Sequence, residues 1–335
     1  MIVLVAKLAA VSVATYFLVA LGLIASQRVA WSPPEPGQGI AFAEMTGASL
    51  DNLPPTAHFT ARDGARLSFR RYDAAGPVRR VLFLVHGSSW HGMQFHKMAQ
   101  AIAGQGHATV IVPDMRGHGA DPLRRGDIDH LGQLEEDVAD LINDVKRQYP
   151  EAPVVLGGHS SGGGFVVRFA GGTYGDKADA FILMAPFLKH DAPTTRPNSG
   201  GWARPAVRRI IGLSMLNAVG IRVLNHLRVI SFAMPRSVLE GPYGHTATTT
   251  YSFRLNQSFA PRRDYEKDIA AIRRPLLVLA GADDESFVAE RYEEVISANT
   301  GTGTYHVLPG VNHLGIVTED RSIGLVANWL ENLPA

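Results

Sequence analysis

The chain has 335 residues, 46% of them apolar, with 32 Lys plus Arg against 31 Asp plus Glu and no cysteine. That length holds one large α/β domain with an insertion, and the balanced charge leaves no electrostatic footprint for nucleic acid, so no nucleic-acid partner is expected. The missing cysteines exclude disulfides, thiolate catalysis and cysteine-metal sites.

The first element is apolar. Leu8 to Ala25 reads LAAVSVATYFLVALGLIA without a charge, a run that as a helix reaches about 27 Å, close to a bilayer core. Ile2 to Val5 extends it if Lys7 snorkels toward headgroups. A cleaved signal peptide is the rival. Leu23-Ile24-Ala25 puts a bulky residue where cleavage wants a small one, and the run exceeds a usual h-region, so residues 1–30 are expected to be an uncleaved membrane anchor. Lys7 and the amino terminus on one side and Arg28 on the other bias the catalytic domain slightly to the outer, periplasmic or extracellular, side. Residues 31–56, with Pro33, Pro34, Pro36, Pro54 and Pro55, read as a linker.

Residues 57–186 then read as the first part of a core. Ala57 to Ala61 and Arg66 to Tyr72 flank the turn signal Arg62-Asp63-Gly64-Ala65, an opening hairpin. Val81 to Val85, Thr109 to Val112, Val154 to Leu156 and Ala180 to Met184 are short apolar runs of the kind that form buried parallel strands. Gln133 to Tyr149 carries Leu134, Val138, Leu141, Ile142 and Val145 at helical spacing, with acids early and Lys146-Arg147 late. The alternation stops over residues 187–274, which predict a helical cap insertion built on clusters such as Ile210-Ile211, Met215-Leu216 and Val223-Leu224. It resumes over residues 275–335 with strands at Leu276 to Leu279 and Thr304 to Leu308 and a helix near Ile323 to Leu330. The pattern predicts a doubly wound, mostly parallel sheet with functional loops at the carboxyl ends of its strands.

The chemistry sits at those ends. Gly158-His159-Ser160-Ser161-Gly162 follows one strand run and precedes the apolar Phe165-Val166-Val167, which is G-x-S-x-G in its strand-turn-helix context. A serine on so tight a turn needs neighbours without side chains. Ser160 is the expected nucleophile. Serine needs a base, and the base needs an acid to fix its tautomer. Asp283 and Asp284 follow the Leu276 strand and His313 follows the Thr304 strand, in the chain order Ser, Asp, His. His313 is the expected base over His306, which lies inside a strand pattern. Asp284 is the expected acid, with Asp283 as turn former and alternative. For the oxyanion, the amide of Ser161 and that of Ser88 or Ser89, after His86-Gly87, are the candidate donors, with Ser88 preferred. Asp114-Met115-Arg116-Gly117-His118-Gly119 reads as a structural loop. His91 and His96 do not share a helix face, so no metal and no cofactor are expected.

These residues, in order and spread over most of residues 57–335, resemble the α/β-hydrolase superfamily, and within it the bacterial lysophospholipase or monoacylglycerol lipase-like branch grouped with serine aminopeptidases. The carriers are His86-Gly87, the Asp114 to Gly119 loop, Gly158-His159-Ser160-Ser161-Gly162, Gly281-x-x-Asp284 and His313. The resemblance implies an α/β-hydrolase fold with a cap after the sixth strand and hydrolysis of a carboxylic ester, such as a monoacyl lipid or lysophospholipid, through an acyl-enzyme. Departures remain: His86-Gly87 leads into serines and Trp90 rather than a glycine run. Aminopeptidase, amidase or acyltransferase chemistry on the same triad, and a non-catalytic protein holding a hydrophobic ligand, are the alternatives. Finally, Phe187 to Glu240 carries eight Lys and Arg against Asp191 and Glu240. This charge suits an anionic membrane surface, so the cap is a second candidate membrane contact beside the anchor.

Overall fold

The computed structural model describes residues 1–42 and 50–333; the part of the expected linker at 43–49 lies outside the described residues. Helix α1 (Ile2–Ala25) comes first. β1 (Thr56–Thr60) and β2 (Arg66–Tyr72) pair antiparallel around a turn with Gly64 at φ +85°. The alternating core follows as β3 (Val81–Val85), α2 (His96–Gly104), β4 (Thr109–Pro113), α3 (Gln133–Lys146), β5 (Val154–His159), α4 (Ser161–Ala170) and β6 (Ala180–Met184). β5 outruns its apolar stretch because Gly157 fits between its neighbours: a β-carbon there would sit 3.0 Å from Leu84 and 3.3 Å from Ile182.

The insertion, expected as a helical cap over residues 187–274, carries helices at Val207–Ala218, Arg236–Leu239, Phe253–Phe259 and Tyr265–Ala271 and has strands besides. It holds a three-stranded antiparallel sheet of β7 (Ala203–Pro205), β8 (Arg228–Phe232) and β9 (Thr250–Ser252), with α5 (Val207–Ala218) between β7 and β8. Val223-Leu224 lies in a turn rather than a helix. The reason is local: Val229-Ile230 and Thr248 to Thr250 are β-branched runs, which pack better on a pleated surface than on a helix. The chain then continues through α6 (Phe253–Phe259), α7 (Tyr265–Ala271), β10 (Leu276–Gly281), α8 (Arg291–Ser297), β11 (Gly303–Leu308) and α9 (Asp320–Asn332).

The main sheet has eight strands in the order β1-β2-β4-β3-β5-β6-β10-β11. β1 pairs antiparallel with β2 and β2 antiparallel with β4, and the remaining pairs are parallel. β3, β4, β5, β6 and β10 are buried at every residue, as a sheet covered on both faces requires. Parallel neighbours share a carboxyl end. The loops after β3, β5, β10 and β11 therefore open on the same side, with β5 central.

Helix α1 is long and apolar enough to cross a membrane, with mean hydropathy 2.3 and only 11% of its most apolar stretch buried. Its last turns nevertheless dock on α5. The Tyr16 hydroxyl donates to the Met215 carbonyl at 2.6 Å, and Ala20 and Ile24 are buried. The helices approach closely at Gly212, where a β-carbon would fall 2.5 Å from the Ala20 carbonyl oxygen. Much of the insertion's basic charge is committed inside the molecule. Arg208 donates to the Ser26 carbonyl, Arg209 to those of Ile24 and Arg228, Arg204 to those of Ser32 and Pro33, Arg196 to those of Asp284 and Phe287, and Arg228 to those of Gly126 and Arg125.

Deleting residues 1–30 is expected to leave a folded domain whose α5 face at Gly212 and Met215 is uncovered, so that it binds detergent or self-associates. Light scattering behind size exclusion reads this directly; a monomeric, detergent-free domain would show that α5 does not depend on α1 for cover.

Candidate active site

β5 ends at His159 and α4 starts at Ser161, so Ser160 alone makes the reversal, at φ 55° and ψ −120°. A non-glycine residue in that region costs on the order of 1–3 kcal/mol and persists only when its surroundings hold it. Here the Ser160 amide donates to Met184 O at 2.9 Å, and its carbonyl accepts from the Gly164 and Phe187 amides at 3.0 and 2.9 Å. The flanking glycines permit the close approach. A β-carbon at 158 would lie 2.3 Å from the Gly162 carbonyl oxygen, and one at 162 would lie 2.2 Å from that of Val85. The glycine spacing is thus a packing requirement of the turn.

The loops after β10 and β11 bring Asp284 and His313 together. Asp284 Oδ2 lies 2.8 Å from His313 Nδ1, with both side chains almost completely buried. Oδ1 of the same carboxylate accepts from the amides of Ser286 and Phe287 at 2.7 and 2.9 Å, which leaves Oδ2 aimed at the imidazole. With a carboxylate as partner, Nδ1 carries the proton and Nε2 is left as the acceptor. Asp283 is exposed, and its amide is bound to Val311 O at 3.0 Å. His306 lies within β11, paired with Leu279.

Two groups that sequence reasoning missed hold the His313 backbone. Glu285 Oε2 accepts from the His313 amide at 3.0 Å. On the other side the Gly87 amide donates to Gln94 Oε1 at 3.1 Å, so the Gln94 amide nitrogen faces His159 Nδ1 at 2.8 Å. His159 Nδ1 must then accept, and Nε2 donates to the His313 carbonyl at 3.0 Å. The turn after β3 and the loop after β11 are thereby joined through buried polar atoms. Neither Gln94 nor Glu285 sits in a recognisable motif; a polar residue inside an apolar stretch was the only signal for Gln94.

The Ser89 amide donates to the Tyr251 hydroxyl at 2.6 Å, which in turn donates to His118 Nε2 at 2.7 Å. Ser89 is therefore committed elsewhere, and Ser88 and Ser161 remain the candidate oxyanion donors. Ser88 and Ser160 line one cavity, and Ser161 directly follows Ser160 at the start of α4. The Asp114 loop is tied down from both sides: Asp114 accepts from the Gly92 amide and the Ser68 hydroxyl, and the Met115 amide donates to His86 Nε2. His96 is bonded to Tyr72 and the Asp51 carbonyl, whereas the His91 ring stacks on Trp90. Among the described residues no group of three or more His, Asp or Glu could hold a metal.

The cavity at Ser160 measures about 20 Å³, room for little more than one water. Its apolar wall is Trp90, Leu314, Trp202 from the insertion, and Ile40 and Phe42 from the segment before β1. Trp202 Nε1 donates to Ser88 Oγ at 3.1 Å. The segment containing Ile40 and Phe42 read as a linker, and nothing in its composition marked it as part of a site.

A sequence-family model described as serine aminopeptidase, S33, matches residues 76–320. The chain is 30% identical over 134 residues to a monoacylglycerol lipase of Mycolicibacterium smegmatis, covering 40% of this chain and 47% of the relative. It is 27% identical over 131 residues to the human monoglyceride lipase, covering 39% and 43%. The chain thus spans about half the length of the curated relatives it matches. Among solved structures, a soluble variant of the Saccharomyces cerevisiae monoglyceride lipase superposes with TM-score 0.64 at 19% identity, over 85% of this chain and 97% of that one. A Bacillus coagulans carboxyl esterase gives 0.62 at 18%, over 83% and 97%. At such identities these two likenesses show the fold, which is that of the α/β-hydrolases.

Burial pushes His86, His91, His118 and His159 below the ordinary imidazole value, His91 to about 3. Unfolded, these rings take up protons near pH 6.5; folded, they stay neutral to lower pH, so the unfolded chain binds more protons there. The urea midpoint is expected to hold steady above pH about 7 and to fall as the pH drops below about 6.5. A midpoint unchanged down to pH about 5 would mean that the four rings are not the neutral, buried groups described.

Proposed function

The chain belongs to the serine aminopeptidase S33 family of α/β-hydrolases, in its monoacylglycerol lipase-like branch, and on that footing we propose that it is a serine hydrolase cleaving carboxylic esters of monoacyl lipids. The observation that carries the reading is the buried Asp284–His313 contact of 2.8 Å, at the same sheet end as the strained turn of Ser160. Ser160 Oγ attacks the ester carbonyl carbon while His313 Nε2 takes its proton. The carbonyl oxygen becomes an oxyanion received by the amides of Ser161 and Ser88. Collapse breaks the ester bond, the alcohol leaves with the proton from His313, and the acyl group stays on Ser160. Water then attacks the acyl carbon while His313 takes its proton; the acyl–Oγ bond breaks, Ser160 Oγ regains the proton from His313, and the acid is released. Asp284 holds the tautomer and stabilises the imidazolium formed in each half.

Two features favour an ester of an apolar acid over an aminopeptidase substrate. The wall around Ser160 is aromatic and aliphatic, and among the described residues lining it none is an Asp or Glu that could hold an α-ammonium group. Lysophospholipid is a substrate of the same class, since only the leaving alcohol differs. Helix α1 serves in this reading as an uncleaved anchor, with the catalytic domain on the outer side.

Ser160→Ala is expected to lower kcat on monoacylglycerol by on the order of 10⁶ and to abolish labelling by a fluorophosphonate. Turnover within about tenfold of wild type would place the nucleophile elsewhere. Asp284→Asn is expected to cost on the order of 10⁴ through the wrong tautomer, and Asp283→Asn much less. Equal effects of the two substitutions would leave Asp284 without its assigned role.

A further inference from the structure

The candidate site has walls but almost no interior. A cavity of about 20 Å³ holds about one water, and an acyl chain of even a few carbons needs several times that. The space is taken up by the segment that runs from the anchor to the core. Ile40 and Phe42 are 9% and 8% exposed, and the Phe42 ring stands 5.4 Å from Trp90 and 5.6 Å from Trp202. Apolar side chains from outside the core thus lie between two aromatic walls beside Ser160.

Two of the segment's backbone amides bond to the domain. The Gly39 amide donates to the Gly200 carbonyl at 2.8 Å, and the Ala41 amide to Glu285 Oε1 at 3.1 Å. The second contact is exposed to water, and its carboxylate is the one whose other oxygen accepts from the His313 amide. Gly37 and Gly39 adopt φ of 74° and 89°, a region that glycine enters without steric cost, so the segment can swing about these two residues.

We propose that Gln38 to Phe42 is a displaceable plug of the site: Ile40 and Phe42 stand where the substrate's acyl chain lies, and the chain must displace them to reach Ser160. The proposal rests on the ester-hydrolase reading of Ser160 and adds a competition to it. Every ester meets a site that is open only part of the time, and its apparent affinity falls by that fraction. The opening cost is the same for long and short chains, so the segment sets how often the site is open and contributes no polar contact to the reaction.

The test uses the full-length protein in detergent micelles with p-nitrophenyl esters from acetate to laurate. Phe42→Ala is expected to raise kcat/KM about tenfold for the acetate and for the laurate, because it lowers an opening cost that both esters share. An unchanged kcat/KM for every ester, or a fall for every ester alike, overturns the proposal. Ile40→Ala, at the other displaced side chain, is expected to raise both esters in the same direction, and if Phe42→Ala does not fold, Ile40→Ala decides alone. Fluorophosphonate labelling separates the two levels. Labelling of Ser160 with no change in kcat/KM in either variant sinks the displacement idea only, whereas no labelling of wild type or of the variants sinks the hydrolase reading with it.

Discussion

A reversal of the chain over one residue, between the end of β5 and the start of α4, governs the geometry of everything around it. Ser160 occupies a backbone region that a side chain resists, at φ 55°, and the turn closes because carbonyls of neighbouring elements come within contact of bare glycine α-carbons. The Val85 and His86 carbonyls press on Gly162, and the Phe187 carbonyl presses on Gly164. β3, β5 and the start of the insertion are therefore locked at one point. Since β3 also leads into Gly87 and Ser88, Ser160 and the candidate oxyanion donor are set by the same packing. The strain at Ser160 and the placement of Ser88 are two consequences of one close approach.

The proposed base is placed by different means. His313 comes from a loop after an edge strand, where sheet packing alone would leave it loosely held. Three separate bonds fix it: Asp284 on the ring, Glu285 on the amide and His159 on the carbonyl. The last of these depends on Gln94, whose two ends distinguish donor from acceptor and so set the tautomer of a ring that burial keeps neutral. An unpaired polar atom costs more in such surroundings than a paired one gains. The network is therefore selective as well as stabilising, since a change at Gln94 is felt at Gly87 and at His313 together.

Much of this was legible in the sequence for a physical reason. Parallel strands buried on both faces must be short continuous apolar runs, and residues just beyond their carboxyl ends must gather on one side, so Ser160, Asp284 and His313 could be read as neighbours although separated by up to half the chain. The choice of Asp284 over Asp283 rested on turn chemistry, and their burial differs as that argument supposes. The insertion was read less well. Its β8 and β9 are short and irregularly spaced strands, and the clusters at Ile210 and Met215 carry a helical signal that masked them. Gln94, Glu285, Ile40 and Phe42 could not be read because their roles depend on distant partners: Gln94 meets His159 65 residues on, and Glu285 meets the His313 amide 28 residues on and the Ala41 amide 244 residues back. Ile40 and Phe42 in particular sit among prolines and glycines whose composition says only that the backbone is not regular.

Part of the insertion's basic charge is used within the molecule. Eight Lys and Arg among few acids suit an anionic surface outside the protein, and the structure also gives several of them carbonyl acceptors within it. A helix ends in carbonyls with no intrahelical donor and a partial negative charge. α1 ends against the insertion, and there Arg209 donates to the Ile24 carbonyl and Arg208 to that of Ser26. Arg204 continues the pattern on the carbonyls of Ser32 and Pro33, and the Arg236 guanidinium lies 6.0 Å from the Trp31 ring centre. Guanidinium groups suit this task because their forked donors reach two carbonyls at once and cannot be neutralised by burial. These guanidinium groups thus fasten the end of α1 and residues 32–33 to the insertion, before the glycines at 37 and 39.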